Sequence, residues 1–330
     1  MSAKSLYFIL LLLPLMLLAG CNSPAPAPTP ASPKGPATTA FDGKRAFEHV
    51  RKQVEFGPRP AGSAELGQAR AYIIGELKSY GLIVTEDEFE PVTPNGKIKM
   101  VNIVAELPGE SRNLILLASH YDTKLFKEFR FVGANDGGSS TGALMEIARV
   151  LATSGKKPAF TYRFVFFDGE EAVCKEWEDC KNPDGPDNTY GSRHYAEKIT
   201  ANGNLVLVKA MILLDMMGYK KLDLGRDMMA DEQSKRVNGK PSWLVDTVWA
   251  MGKELGHTKI FLDSPEDVGG DDHDAFLKLN VPAMDIIQLA NYPHWHQPTD
   301  TLDQIAPESL KAVGDTVILS LPKIEAHFPK

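Results

Sequence analysis

Cysteine is scarce, with 3 in a chain of 330 residues. They stand at Cys21, Cys174 and Cys180. So few exclude a framework of many disulfides and leave the core to apolar packing. A basic excess is lacking too. The net charge is -7, so nothing electrostatic points to nucleic acid as a partner. Internal repeats are missing, which excludes a solenoid or propeller built from copies of one unit. Long apolar runs are nearly missing. One opens the chain at residues 6–18, behind Lys4, and it falls short of the roughly 20 residues a spanning helix needs.

That run ends in Leu18-Ala19-Gly20-Cys21. A charged start, an apolar stretch and small residues before a cysteine form a lipoprotein signal. On this reading residues 1–20 are removed and Cys21 becomes the lipidated N-terminus. The mature protein is then exported and held at the cell envelope by acyl chains, on the periplasmic face or in the outer membrane, without spanning it. Residues 21–40 are rich in Pro, Ala, Ser and Thr. They cannot build a core and form a spacer. Residues 41–330 are the catalytic domain; the chain's 43% hydrophobic and 24% charged residues suit one globular body. In an oxidising compartment Cys174 and Cys180 are expected to bridge and close the short loop between them.

Apolar periodicity predicts helices over 41–56, 63–80, 139–152, 192–200, 243–255, 273–279 and 307–328, the second stopped by Gly81. Strand-like runs lie at 100–106, 114–119, 162–167, 210–215 and 283–289. The alternation implies an α/β fold: a mostly parallel, open twisted sheet with helices on both faces. Ligands in such sheets bind beyond the carboxyl ends of the strands.

Acids and histidines gather at those ends. They read His120-Tyr121-Asp122, Asn135-Asp136, Asp168-Gly169-Glu170-Glu171, Asp215 and Trp295-His296. Each alone has a plain structural reading. His120 and Asp122 could share a loop hydrogen bond, Asp136 could serve a helix N-terminus, and Asp272 reads as a cap for the helix at His273. Glu170 and Glu171, however, follow Phe164-Val165-Phe166-Phe167, which is too apolar for a surface turn. Imidazole and carboxylate from separate elements are what a catalytic zinc takes, and an extra carboxylate beside a ligand can move a proton.

Taken in order, His-x-Asp, Asn-Asp-Gly, Glu-Glu, Asp and His resemble the co-catalytic zinc aminopeptidase superfamily over nearly all of 41–328. Within it the chain is similar to the glutaminyl cyclases. Four segments carry that likeness: Ser119-His-Tyr-Asp-Thr-Lys124; Phe166-Phe-Asp-Gly-Glu-Glu-Ala172 with Trp177 and Tyr190-Gly-Ser-Arg-His194; Asp271-Asp-His273 with Phe276-Leu277; and Trp295-His296. The resemblance implies one zinc on Asp136, Glu171 and His296, with His120 beside it. It implies Glu170 as general acid/base, Asp215 and Asp271 in an acid network around the leaving group, and Trp177, Trp295 and Tyr292 as pocket walls. The implied substrate is a peptide or protein with an N-terminal glutamine, closed to pyroglutamate with loss of ammonia. The longer insert after Glu171, with its cysteine pair, departs from the ordinary aminopeptidases, and Ser119 stands where animal cyclases carry a disulfide cysteine. Two other readings remain open: an aminopeptidase with two zincs, the second on His120 and Asp215, and a non-catalytic binding ectodomain. Such ectodomains typically lose ligands, and the intact set with Glu170 speaks against that reading.

Overall fold

The computed structural model describes residues 39–174, 180, 182 and 185–329. Strands in chain order are β1 (Ile83–Phe89), β2 (Val92–Thr93), β3 (Gly96–Lys97), β4 (Met100–Leu107), β5 (Leu114–His120), β6 (Thr161–Phe167), β7 (Val208–Leu214), β8 (Leu224–Asp227), β9 (Phe261–Glu266) and β10 (Ala283–Ile286). The helices are α1 (Gly43–Phe56), α2 (Ala64–Ser79), α3 (Gly138–Ala152), α4 (Tyr190–Ala201), α5 (Met228–Asn238), α6 (Trp243–Glu254), α7 (Asp274–Leu277) and α8 (Pro307–Ala326).

Six strands form one sheet in the order β1-β4-β6-β5-β7-β10. β6, β5, β7 and β10 run parallel, while β4 and β1 add antiparallel strands at one edge. The alternation of side chains along a strand divides the core. Ile115, Leu117, Phe164, Phe166, Ile212 and Leu214 face one way, onto α1, α3, α6 and α8. Leu114, Leu116, Ala118, Val165, Met211 and Leu213 face the other, onto α4 and α7. Both faces are therefore covered, as a mostly parallel sheet requires.

The helix ends follow from local chemistry. The Asp42 carboxylate accepts from the amides of Lys44 and Arg45 and starts α1, and Ser63 caps α2 through the Leu66 amide. Residues 39 and 40 belong to the fold, since Thr39 donates to Asp315 and the Ala40 carbonyl accepts from Arg149. The folded part thus includes residues 39 and 40.

Three expectations need correction. The strand predicted over 283–289 stops at Ile286, and Ile287 and Leu289 beyond it wall a pocket instead. α7 is four residues rather than seven. Asp272 does not cap it; the helix has no side-chain cap bond among the described residues, and the Asp272 side chain is fully buried. Among the described residues no helix is long and apolar enough to cross a membrane.

Candidate active site

The parallel strands deliver the site at their carboxyl ends. His120 closes β5, Glu170 and Glu171 follow β6, and Asp215 follows β7. Asp136 stands on the loop before α3, Asp271 lies beyond β9, and His296 lies beyond β10.

The turn after β6 is fixed from beneath. The Asp122 carboxylate accepts from the amides of Glu170 and Glu171, at 3.2 and 3.2 Å. Gly169 makes this turn possible. Its φ is +72°, and a Cβ there would meet the Met100 sulfur at 2.5 Å. The two glutamate side chains then diverge. Glu171 Oε1 lies 3.3 Å from His296 Nε2, and Oε2 lies 3.9 Å from Lys124 Nζ. Glu170 Oε2 instead lies 3.9 Å from His120 Nδ1. His120 Nε2 reaches Asp215 Oδ1 at 3.1 Å and Asp136 Oδ1 at 3.3 Å.

Two donor sets result, and both contain Asp136. Ligand atoms of Asp136, Glu171 and His296 lie within 4.8 Å of one another, as do those of His120, Asp136 and Asp215. Among the described residues Asp136 Oδ2 is buried with no hydrogen-bond partner, with His296 Nε2 3.5 Å away. Two carboxylates and an imidazole converging on an unsatisfied buried oxygen make a set that can hold zinc. His296 is strained into place, with φ +53°, and Met216 beside Asp215 has φ +39°. Such conformations are costly for residues other than glycine and cluster at functional sites. Trp295 stacks on the His296 ring at 4.4 Å, and Phe126 meets it edge-on at 5.5 Å.

A pocket of about 230 Å³ opens over this centre. Asp136, Glu170, Glu171, Asp215, Asp271 and His296 supply its polar wall; Met216, Val268, Ile287, Leu289 and Trp295 supply the apolar one. Its volume is below the roughly 300 Å³ at which ligand pockets usually begin, so it suits one terminal side chain rather than a length of peptide.

Burial sets the protonation of the acids, and neighbours refine it. Burial pushes the Glu170 carboxyl well above its ordinary value, and the nearby Asp271 charge adds to the shift. Asp271 is pushed up to about 6, by burial first and Asp215 next. Burial also raises Asp215, against the pull of His120. Glu171 goes the other way: burial opposes its charge, but His296 and Lys124 overcome this and hold it low. Adjacent glutamates are thus prepared for different work, one to carry a proton and one to stay ionised.

Of the residues singled out in the sequence, Glu170, Asp215, Asp271, Asp136, Glu171, His296 and Trp295 line this one pocket. His120 sits behind it, against Asp136 and Asp215. Tyr292 does not line it. Its ring is buried and its hydroxyl donates to Asp300 Oδ1 at 2.6 Å, so it braces the site from the rear. Trp177 and Cys21 lie outside the described residues. Cys174 and Cys180 are joined in a disulfide with Cα atoms 6.1 Å apart.

Three contributors get no role in the sequence reading, though Lys124 and Asp168 stand within its motifs and only Asp300 goes unnamed. Lys124 is buried and donates to the carbonyls of Ala172 and Cys174, both at 2.9 Å, tying the insert to the Glu171 turn. Asp168 accepts from the Val101 amide at 2.8 Å and from the Tyr121 hydroxyl at 3.4 Å, and feels the charge of Asp122. Asp300 accepts from the amides of Asn135 and Asp136, at 2.8 and 3.1 Å. Only its place four residues past His296 could have drawn the eye to it.

The peptidase family M28 model matches residues 102–321. The chain belongs to peptidase family M28. Over 273 residues it is 29% identical to the glutaminyl-peptide cyclotransferase of Drosophila melanogaster, covering 78% of this chain and 75% of that protein. Among solved structures it is similar to a glutaminyl cyclase from an Acidobacteriales bacterium. There the TM-score is 0.78 and the identity 32%, covering 92% of this chain and all of that one. It is also similar to a Zn-dependent exopeptidase from Parabacteroides distasonis, with TM-score 0.75, 28% identity and coverage of 86% and 99%. The chain therefore has the zinc-aminopeptidase-like fold, and its kin are the glutaminyl cyclases of that superfamily.

Proposed function

We propose that this protein is a glutaminyl-peptide cyclotransferase that closes the N-terminal glutamine of a peptide or protein to pyroglutamate and releases ammonia. The observation that carries the reading is the small pocket in which Glu170 and Asp271 face the Asp136, Glu171 and His296 donor set. When bound there, zinc supplies Lewis-acid polarisation of the glutamine side-chain carbonyl. The α-amine attacks the side-chain amide carbon; the new C–N bond forms as the bond to the amide nitrogen breaks. Glu170 takes the proton from the attacking amine and gives it to the departing ammonia. Asp271 and Asp215 share protons around that leaving group. Trp295 and the aliphatic wall keep water from the reacting carbon, which favours ring closure over hydrolysis.

A second reading, a two-zinc aminopeptidase, is supported by the donor set of His120, Asp136 and Asp215. One experiment separates the two. Purified protein is incubated with a Gln-initiated peptide and with a Leu-initiated one. Ammonia release with the chain length unchanged supports the cyclase; a freed amino acid supports the peptidase. Zinc analysis of the same sample should find about one metal per chain for the cyclase and two for the peptidase. A heterocyclic chelator should abolish the activity, and added zinc should restore it.

The lipobox at Leu18-Ala19-Gly20-Cys21 supports placing this enzyme at the cell envelope, anchored through Cys21 and held off the membrane by the spacer.

A further inference from the structure

The loop that carries Asp136 is gripped at every residue by two buried residues, an arginine and an aspartate. Arg59 is fully buried, and Asp300 is 1% exposed. Arg59 Nη1 donates to the Val132 carbonyl at 2.9 Å, and Nη2 to the Gly133 carbonyl at 3.4 Å. Asp300 accepts from the amides of Asn135 and Asp136 through its carboxylate, and from Ala134 through its main-chain oxygen at 3.4 Å. Each of the five residues from Val132 to Asp136 thus has one bond to the pair. We propose that Arg59 and Asp300 act together as one positioning device that fixes Asp136 for the metal. This rests on the reading of Asp136, Glu171 and His296 as the zinc site.

Both residues reach further than the loop. Arg59 Nε lies 3.5 Å from the carbonyl of Tyr121, next to His120, and Nη1 also serves the carbonyls of Gln53 and Gly57, at 3.2 and 3.1 Å. The guanidinium therefore ties the end of α1, the end of β5 and the Asp136 loop together. Asp300 follows His296 by four residues, so one carboxylate links the segments of two ligands. Tyr292 completes it, donating to the oxygen that serves Asn135.

Among the described residues every hydrogen bond of the Arg59 side chain goes to a main-chain carbonyl. Burying a guanidinium without a bonded carboxylate is expensive. What offsets it is the field of Asp122, Asp300 and Asp136, which partly counters the burial that brings the Arg59 pKa down to about 10. The cation stays charged at neutral pH and draws its compensation from the site it braces. A lysine could keep the charge, but its single ammonium cannot span three segments as the planar fork does.

The test uses the full chain loaded with zinc, as parent, Arg59→Lys, Asp300→Asn, the double variant and Tyr292→Phe. Zinc release into a chromophoric chelator is timed, with zinc content and thermal midpoint read on the same samples. Loss of a partner behind a metal ligand typically weakens metal binding by about 10–100-fold. Arg59→Lys and Asp300→Asn should each speed release by about that factor, and Tyr292→Phe by less. The double variant should be no faster than the worse single, because the two hold one loop. Folded variants that release zinc at the parental rate, even with a lower thermal midpoint, would mean both residues are merely structural and overturn the proposal. So would single effects that multiply in the double. If Arg59→Lys does not fold, Asp300→Asn and Tyr292→Phe still decide. A parent that holds no zinc overturns the metal reading itself and this proposal with it; a zinc-loaded parent with unaffected variants overturns this proposal alone.

Discussion

Glu170 and Glu171 share one turn, and their amides share one acceptor, Asp122. What separates them is what their carboxylates meet. Glu170→Gln keeps the shape but cannot take a proton. It should slow turnover of Gln-peptides by about 10²–10⁴-fold with zinc content unchanged, the usual share of general acid–base catalysis. Glu171→Gln should instead lower the zinc content, so rate and metal must be read on the same sample. Parental activity in fully loaded Glu170→Gln would remove Glu170 from the mechanism. Asp168 offers a test of burial by pH. Burial, and next the charge of Asp122, push its carboxyl up to about 8. The folded state then binds a proton that the unfolded chain has released above about 4. That contribution is full below the unfolded value and is lost as pH rises through about 8. Asp168→Asn mimics the protonated acid. Its melting temperature should match the parent near pH 3, exceed it by a margin that grows as pH rises from about 4 to about 8, and level off above that. Equal pH slopes in the two proteins would show that Asp168 is not the group responsible.

At the scale of elements, the strands legible in the sequence are the buried ones. β5, β6 and β7 are continuous apolar runs covered on both faces, and each ends in site residues. β1 is missed because Ile83–Phe89 carries Glu86, Asp87 and Glu88. That charge belongs to an edge strand, where it discourages pairing with other chains. α5 is missed for a like reason: among its residues only Ala230 is buried, so no apolar stripe announces it. The first layer of the site is legible because zinc ligands and a proton carrier need particular residue types. The layer behind it is not. Asp300 works on main-chain amides, which any sequence supplies, and its register against the loop exists only after folding. Gly137 shows the same dependence. It has φ +73°, and a Cβ there would meet the Asp122 carbonyl at 2.6 Å and the His120 ring at 3.0 Å. Gly137→Ala should therefore lower stability by roughly 1–3 kcal/mol and weaken zinc binding, as read by denaturation and metal titration. A neutral outcome in both would mean the loop has room that the contacts deny.

At the scale of the whole molecule, the catalytic body and the proposed anchor are separable. The six-stranded sheet, the helices on its two faces and the described residues that line the pocket all fall within residues 39–329. Cys21→Ser should release the protein from membranes or leave the precursor uncleaved, with turnover by the folded body unchanged. Deleting residues 22–38 should likewise spare catalysis. The deletion must stop there, because Thr39 and Ala40 are bonded to Asp315 and Arg149. A Cys21→Ser protein that still fractionates with membranes as a mature chain would end the lipoprotein reading.

Trp295 is 42% exposed and stacks on the imidazole of His296. An indole in that position is a built-in optical probe. Its emission depends on the charge of the ring beneath it and on the water above it. Loading the metal changes the first, and seating a substrate changes the second. Subtracting the spectrum of Trp295→Phe isolates this signal from the other tryptophans. Occupancy of the centre could then be followed in real time without a label, and metal entry told apart from substrate entry by the direction in which the light moves.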